Sequence, residues 1–367
     1  MRSRHHALMA LALAAAALLP ARAAADQHTL TKTFPFRSGD RLEVDTDTGS
    51  IEVRTGTADE IRLTVRSKEQ DLAGALDLTF ATDRGLRVEA RTLRHGRKPG
   101  WFSGWFGRND SSHIEFLIDA PSRMDLALKT SGGHITVGDV EGEVALATRG
   151  GHVQFGAIDG PLHVETSGGH IRGERASGPA ELETAGGHIR VDRADSDLDV
   201  QTAGGHITVG DVGGALRART AGGHIQTGRV GGDMELRTAG GNLTSKGCGG
   251  KIVARTSGGR IDLESVAGYV EARTAGGDLR VSLLAGNTAG GDLESHGSGD
   301  IEVILPDGIG LQVEAQAGST GTVEVDSAMH FEGSLANNRL RGTLNGGGSL
   351  LRLQADGGDI RLLTSLQ

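Results

Sequence analysis

The amino-acid sequence predicts an all-β chain wound as a single-stranded parallel β-helix, a β-solenoid of 18-residue rungs with irregular rungs at both ends. Three observations carry the prediction. The signature Thr130-Ser131-Gly132-Gly133-His134-Ile135 recurs with threonine at 148, 166, 184, 202, 220, 238, 256 and 274, eighteen residues apart without insertion, and once more at Thr288 after 14. Apolar residues keep to fixed columns: Ile135, Val153, Ile171, Ile189, Ile207, Ile225, Leu243, Ile261 and Leu279 follow the corner, and Val140 to Leu284 stand five further on. Late in each copy two apolar positions lie two apart (Val144/Leu146, Leu162/Val164, Leu198/Val200), which is strand alternation and not the 3.6 period of a helix.

Each copy therefore reads as two short strands, separated by a glycine-marked bend (Gly160, Gly178, Gly214) and closed by the Gly-Gly corner. One copy cannot bury its apolar face alone; stacking at ~4.8 Å per rung buries a continuous column. The Gly-Gly pair is expected where the backbone needs φ > 0 or an approach too close for a Cβ. The threonine falls on the inward phase, and a column of threonines sharing hydroxyl bonds is expected there.

Taken in order, residues 1–25 read as a signal peptide. Arg2 and Arg4 precede the apolar run Ala7 to Leu19, and Ala21-Arg22-Ala23 is a small-x-small cleavage pattern. The run is short for a membrane span, so an exported chain is expected, in the periplasm, on the outer-membrane surface or outside the cell. Cys248 is the only cysteine and occupies a core column, as a small buried hydrophobe would. Composition fits a rod: 59 glycines, 7 prolines and 3% aromatics leave a core of Ile, Val, Leu and Ala. Without Arg2, Arg4 and Arg22 the balance is 35 basic against 47 acidic residues, which argues against nucleic acid as a partner.

Residues 26–125 read as an irregular opening of the same solenoid, with a separate small β-domain packed on the rod's end as the alternative. Thr46-Asp47-Thr48-Gly49-Ser50-Ile51-Glu52-Val53 repeats the signature with one glycine replaced, and Ile61–Val65, Leu86–Val88 and Ile114–Ile118 alternate. Residues 126–293 form the regular repeat. Residues 294–367 keep it loosely, in Gly299-Asp300-Ile301-Glu302-Val303 and Gly357-Gly358-Asp359-Ile360-Arg361-Leu362. Both ends are expected to cover sheet edges that would otherwise invite aggregation.

With these motifs in place, the chain resembles a large bacterial family of exported β-strand-repeat proteins of unknown function known as adhesins. The resemblance rests on the T-[SA]-G-G-x-[IL] corners, the Asp47-Thr48-Gly49-Ser50-Ile51-Glu52-Val53 opening, Ile118-Asp119-Ala120-Pro121 and Leu344-Asn345-Gly346-Gly347-Gly348, and spans nearly all of the mature chain. It implies a right-handed β-helix in the cell envelope or on its surface, and no catalytic residues to transfer. The chain departs from the family pattern in one respect, a histidine at the variable corner position six times running.

That column is His134, His152, His170, His188, His206 and His224, followed by Asn242, Arg260 and Asp278. Each precedes an inward residue and so points outward. Two imidazoles could reach one zinc, copper or nickel ion at ~2.0–2.1 Å; the alternative is a duplicated corner residue that stacks its rings and leaves its nitrogens to water. Six cations in a row repel, so the rod is expected to lose stability as pH falls towards 5. A second outlier, Trp101, Phe102, Trp105 and Phe106 among Arg94, Arg97, Lys98 and Arg108, suits a membrane interface or a partner groove, or else plugs the rod's first rung.

Catalytic signatures are missing: no G-x-S-x-G elbow, no H-E-x-x-H, no phosphate loop. Outward positions change from rung to rung (Ala145, His163, Glu181, Asp199, Arg217, Glu235). A non-catalytic binding or scaffold protein is expected, with no cofactor and a protein or glycan of the envelope as partner. A polysaccharide-acting β-helix enzyme and an envelope metal-binding protein are the alternatives.

Overall fold

The computed structural model describes residues 28–365 apart from 58, 69–70, 84 and 94–113. The expected signal peptide and the Trp101–Phe106 segment lie outside the described residues. Each regular copy makes the two strands its pattern calls for. Ile171–Ala176 follows one corner and Ala180–Thr184 leads into the next, alternating buried and exposed. Corner-following strands stack into one sheet (sheet I) and corner-leading strands into a second (sheet II). The pairing is parallel and shifted by one copy, Ile171 on Ile189 and Leu182 on Val200. Slipping by one residue would turn every buried column to solvent, so the columns fix the register. Ile171, Ile189, Leu182 and Val200 are 0–1% exposed between the sheets.

The threonines are buried as expected, but their hydroxyls do not bond one another. Each hydroxyl donates to the carbonyl of the second glycine one rung back, Thr184 to Gly169 at 2.9 Å, and accepts the amide of the second glycine of its own corner, Gly187, at 3.2 Å. Successive hydroxyls stand a full rung apart, ~4.8 Å, beyond hydrogen-bond reach. Of the two reasons for the Gly-Gly pair, close approach is the operative one. A Cβ on Gly151, Gly169 or Gly187 would collide with the glycine carbonyl of the rung before, whereas the first glycine of each pair faces open space or ordinary contact.

Two late copies depart from the repeat. Thr288-Ala289-Gly290-Gly291 is not a corner: Gly291–Ser295 is a sheet II strand paired with Val270–Thr274, Ser295 on Thr274. The corner of that rung is Gly299-Asp300, since Ile301 pairs with Leu279. Placing Leu293 over Ala272 buries it completely, and this outweighs the local sequence match. Likewise Leu283 and not Leu284 pairs with Val266, because a bulge separates Leu263 from Val266, where Ser265 has φ 49°. Leu284 is 46% exposed.

At both ends sequence order and stacking order part company. The first full rung lies between two rungs made later: Arg41–Thr46 is flanked in parallel by Gly85–Thr92 and Asp125–Thr130, and Ser50–Gly56 by Ile114–Pro121 and Ile135–Val137. The last rung is flanked by two made earlier. Ser349–Ala355 runs between Gly291–Ser295 and Leu311–Ala317, and Ile360–Thr364 between Ile301–Leu305 and Val323–Val325.

Antiparallel strands finish the stack, an element absent from a purely parallel β-helix. Thr29–Pro35 pairs with Glu60–Ser67, Leu76–Ala81 with Gly85–Thr92, and Phe331–Ala336 with Arg339–Leu344. Leu30, Phe34, Leu78 and Phe80 pack against the core where the first of these meet, with Phe34 and Phe80 rings 5.4 Å apart and Lys32 Nζ 4.1 Å above Phe80. One turn of helix, Leu72–Ala75, is the only helix among the described residues.

Candidate functional site

The six corner histidines form one continuous exposed column. Their rings are stacked with centroids 4.8–5.0 Å apart and planes within 2–7° of parallel. The rings do not leave both nitrogens to water. The backbone N–H of each corner residue donates to Nδ1 of the histidine one rung before, at 2.8–2.9 Å from His152 through Asn242. An Nδ1 that accepts carries no proton, so the neutral ring bears its proton on Nε2, which points outward.

The ladder extends beyond the histidines. Ser50 Oγ accepts from His134, and Asn242 Oδ1 from Arg260. Asp278 accepts from Asp300, Asp300 from Asp359, and Asp359 from Thr322. Serine, histidine, asparagine and aspartate share an acceptor atom one or two bonds beyond Cβ, which is what the slot selects. Arg260, which has no acceptor, instead donates to the Asp278 carboxylate at 2.8 Å. The signal was in the sequence: of the residues at this corner position, only Arg260 cannot accept.

The geometry also bears on metal binding. Two ligand nitrogens at ~2.0–2.1 Å from one ion lie at most ~4.2 Å apart with converging lone pairs. Parallel rings one rung apart hold equivalent nitrogens further apart and aim them side by side. Sharing an ion would require the rings to leave the stack and Nδ1 to release its amide. Among the described residues no group of three or more His, Cys, Asp or Glu is placed to hold a metal. Burial, then the charges of His188 and His224, hold His206 below the usual histidine range.

Four of the carboxylates near the bends are similarly committed. An open trench of about 820 Å³ runs along the bend leading into sheet II, past Pro161, Pro179, Asp197 and Asp233. Asp197 Oδ1 accepts the Ala215 amide and Asp233 Oδ1 the Lys251 amide, both at 2.8 Å. Asp199 pairs with Arg217, and Glu181 with His163 at 3.3 Å. A hydrolase needs one carboxyl free to give a proton and another free to attack or activate water; these four already have partners. Cys248 is 3% exposed, and burial pushes its thiol up to about 11, so the chain's one cysteine is an inert filler of the core.

Comparison with known proteins returns a family and distant structural likenesses. The model of the family described as Toastrack DUF4097 matches residues 39–363. Among solved structures, a candidate cell adhesion protein from Clostridium sporogenes is similar at 10% identity, with 92% of this chain and 100% of that chain covered and a TM-score of 0.17. A candidate adhesin from Bacteroides fragilis shows 8% identity, 91% and 97% coverage and a TM-score of 0.23. A candidate lipid-binding protein from Parabacteroides distasonis shows 13% identity, 92% and 98% coverage and a TM-score of 0.22. No curated protein matches.

Proposed function

The chain belongs to the Toastrack DUF4097 family, and from that premise we propose that it is an exported, non-catalytic binding or scaffold protein of the bacterial cell envelope, adhesin-like in its mode of action. One observation carries the reading: six outward histidines recur at one-rung spacing along a rod whose bend aspartates and corner glycines are occupied in holding the coils together. A surface of this kind offers many equal weak contacts in a row, and binding strength then grows with the number of copies engaged. The partner is a protein or glycan of the envelope. The leader-like residues 1–25 favour export, and no helix among the described residues is long and apolar enough to cross a membrane.

The repeat supplies its own test. Deleting residues 167–184 removes one 18-residue copy and rejoins matching corners, so the remaining columns stay in register. Purified chains with one, two and three copies removed should sediment with isolated cell-wall and outer-membrane fractions in steadily smaller amounts. Retention that ignores copy number, or none on any fraction, would overturn the proposal. A polysaccharide-acting enzyme would instead keep or lose its activity with a single rung.

A further inference from the structure

The outer face of sheet II carries two complementary charge blocks in one column. The outward fourth positions of successive strands are Glu165, Glu183, Gln201, Arg219, Arg237, Arg255 and Arg273, each directly opposite the next, with Arg219, Arg255 and Arg273 half-buried. Like charges directly opposite on a sheet destabilise it. In the neighbouring column Asp199, Arg217 and Glu235 alternate in sign and are joined by ion pairs at 3.3 Å, although Glu181 stands directly opposite Asp199. Within the arginine column two carboxylates each serve three cations. Glu235 serves Arg217, Arg219 and Arg237, and Glu271 serves Lys251, Arg255 and Arg273. With Asp199 on Arg217, and Asp292 and Glu294 on Arg273, six cations stand on five anions, and the block keeps a small positive excess. Glu165 and Glu183 have no ion pair among the described residues, so a block of opposite sign stands two rungs away in the same column.

We infer that this face is a self-association surface, and that its partner is a second copy of the chain lying antiparallel across it. The geometry fixes the arrangement. A two-fold axis in the plane of the face, parallel to the strands and passing between Leu198–Thr202 and Leu216–Thr220, keeps each column opposite itself and inverts the order of rungs. Glu183 then faces Arg237 of the second copy, Glu165 faces Arg255 and Asp199 faces Arg217, while Glu181 falls opposite Glu235, a carboxylate already bound by three arginines. An axis along the rod would set glutamate on glutamate and is rejected by charge. Eight strands, from Val144–Thr148 to Val270–Thr274, flank the axis evenly, four on each side. Five residues at ~3.3 Å by eight rungs at ~4.8 Å is a flat area of about 600 Å² per copy, suited to a weak, reversible dimer. The pairing would use charge for orientation more than for raw affinity and would loosen with salt.

Sedimentation velocity of the mature chain over a concentration series tests this, using two charge-reversed variants. Glu165→Arg with Glu183→Arg leaves only Gln201 and cations in the column, and Arg237→Glu with Arg255→Glu puts glutamate at all four facing positions. The wild type should dimerise, each variant alone should associate roughly tenfold more weakly or worse, and an equimolar mixture of the two should recover the dimer. Recovery on mixing also shows that neither variant has simply unfolded. The inference fails if the wild type stays monomeric at every concentration, or if the variants associate like the wild type. It also fails if the wild type is monomeric and the arginines prove instead to retain a uronate polymer in a salt-dependent pull-down.

Discussion

The backbone N–H of His188 donates to Nδ1 of His170, one rung before it, at 2.8 Å, and the two rings lie 4.9 Å apart within 4° of parallel. The column is therefore a second hydrogen-bonded ladder, built from side chains and running beside the ladders of the sheets. It fixes one tautomer, with the proton on Nε2. Long-range nitrogen–proton NMR correlations should show six rings with a bare Nδ1, and rings exchanging freely between tautomers would contradict the ladder.

Adding a proton at Nδ1 removes an acceptor and turns one donor against another. His206, held below the usual range by burial and by its two neighbours, reports the direction. The sign follows. A base with a depressed folded-state pKa leaves the unfolded chain to take up protons first, so its contribution is intact above about pH 6.5 and declines as pH falls from there to the lower folded value. The melting temperature should drop between pH 7.5 and 5. His206→Asn keeps an acceptor, as Asn242 does naturally, and should flatten the profile by its share. A wild-type melting temperature constant over that range would refute the mechanism.

The two glycines of a corner should differ sharply. Gly168→Ala meets only ordinary contact and should change stability by no more than about 0.5 kcal/mol. Gly169→Ala drives a methyl into the Gly151 carbonyl and should cost about 3 kcal/mol or prevent folding. Urea midpoints for the pair decide it; equal effects would mean the corner is not as tightly stacked as described.

Thr184 is 1% exposed and bonds both Gly169 and Gly187. Thr184→Val keeps the shape but leaves a buried amide and a buried carbonyl short of a partner, at a cost of about 1–3 kcal/mol. Thr184→Ser should recover most of that loss, as Ser295 already occupies the equivalent place in a later rung. Chemical denaturation of the three chains makes the comparison.

Much of the regular rod was legible because burial and sequence share one period there. The Ile171 and Leu182 columns alternate and repeat, so strands, register and core could be read without the structure. The threonine bonds could not, since inward phase says nothing of whether a hydroxyl meets another hydroxyl or a carbonyl. Thr288-Ala289-Gly290-Gly291 misled because a local signature weighs less than burying Leu293 over Ala272. The corner histidines were readable as exposed and stacked; the role of Nδ1 was hidden until Asn242, Asp278 and Ser50 were seen to accept in the same way. Covers at both ends were expected, but the antiparallel pairing that builds them was hidden for a different reason. Leu30, Phe34, Leu78 and Phe80 come together through antiparallel pairs that obey no period.

The ends yield one more expectation. Stopping the chain after Asn345 removes the rung that joins Gly291–Leu305 to Leu311–Val325. Such a chain should aggregate or lose its cooperative melt, and not behave as a rod one coil shorter, because it leaves open sheet edges unpaired. Light scattering with a thermal melt distinguishes the two, and a soluble, sharply melting product would count against it.

That arrangement also sets how the molecule bears load. Ile360–Thr364 ends the described chain paired along one edge over its length and along the other at residues 360–362, so tension directed along the strand loads both ladders at once. The strand leaves only by sliding past two neighbours together, many bonds failing at once, and a rod held by that end resists a steady drag better than its weak individual contacts suggest.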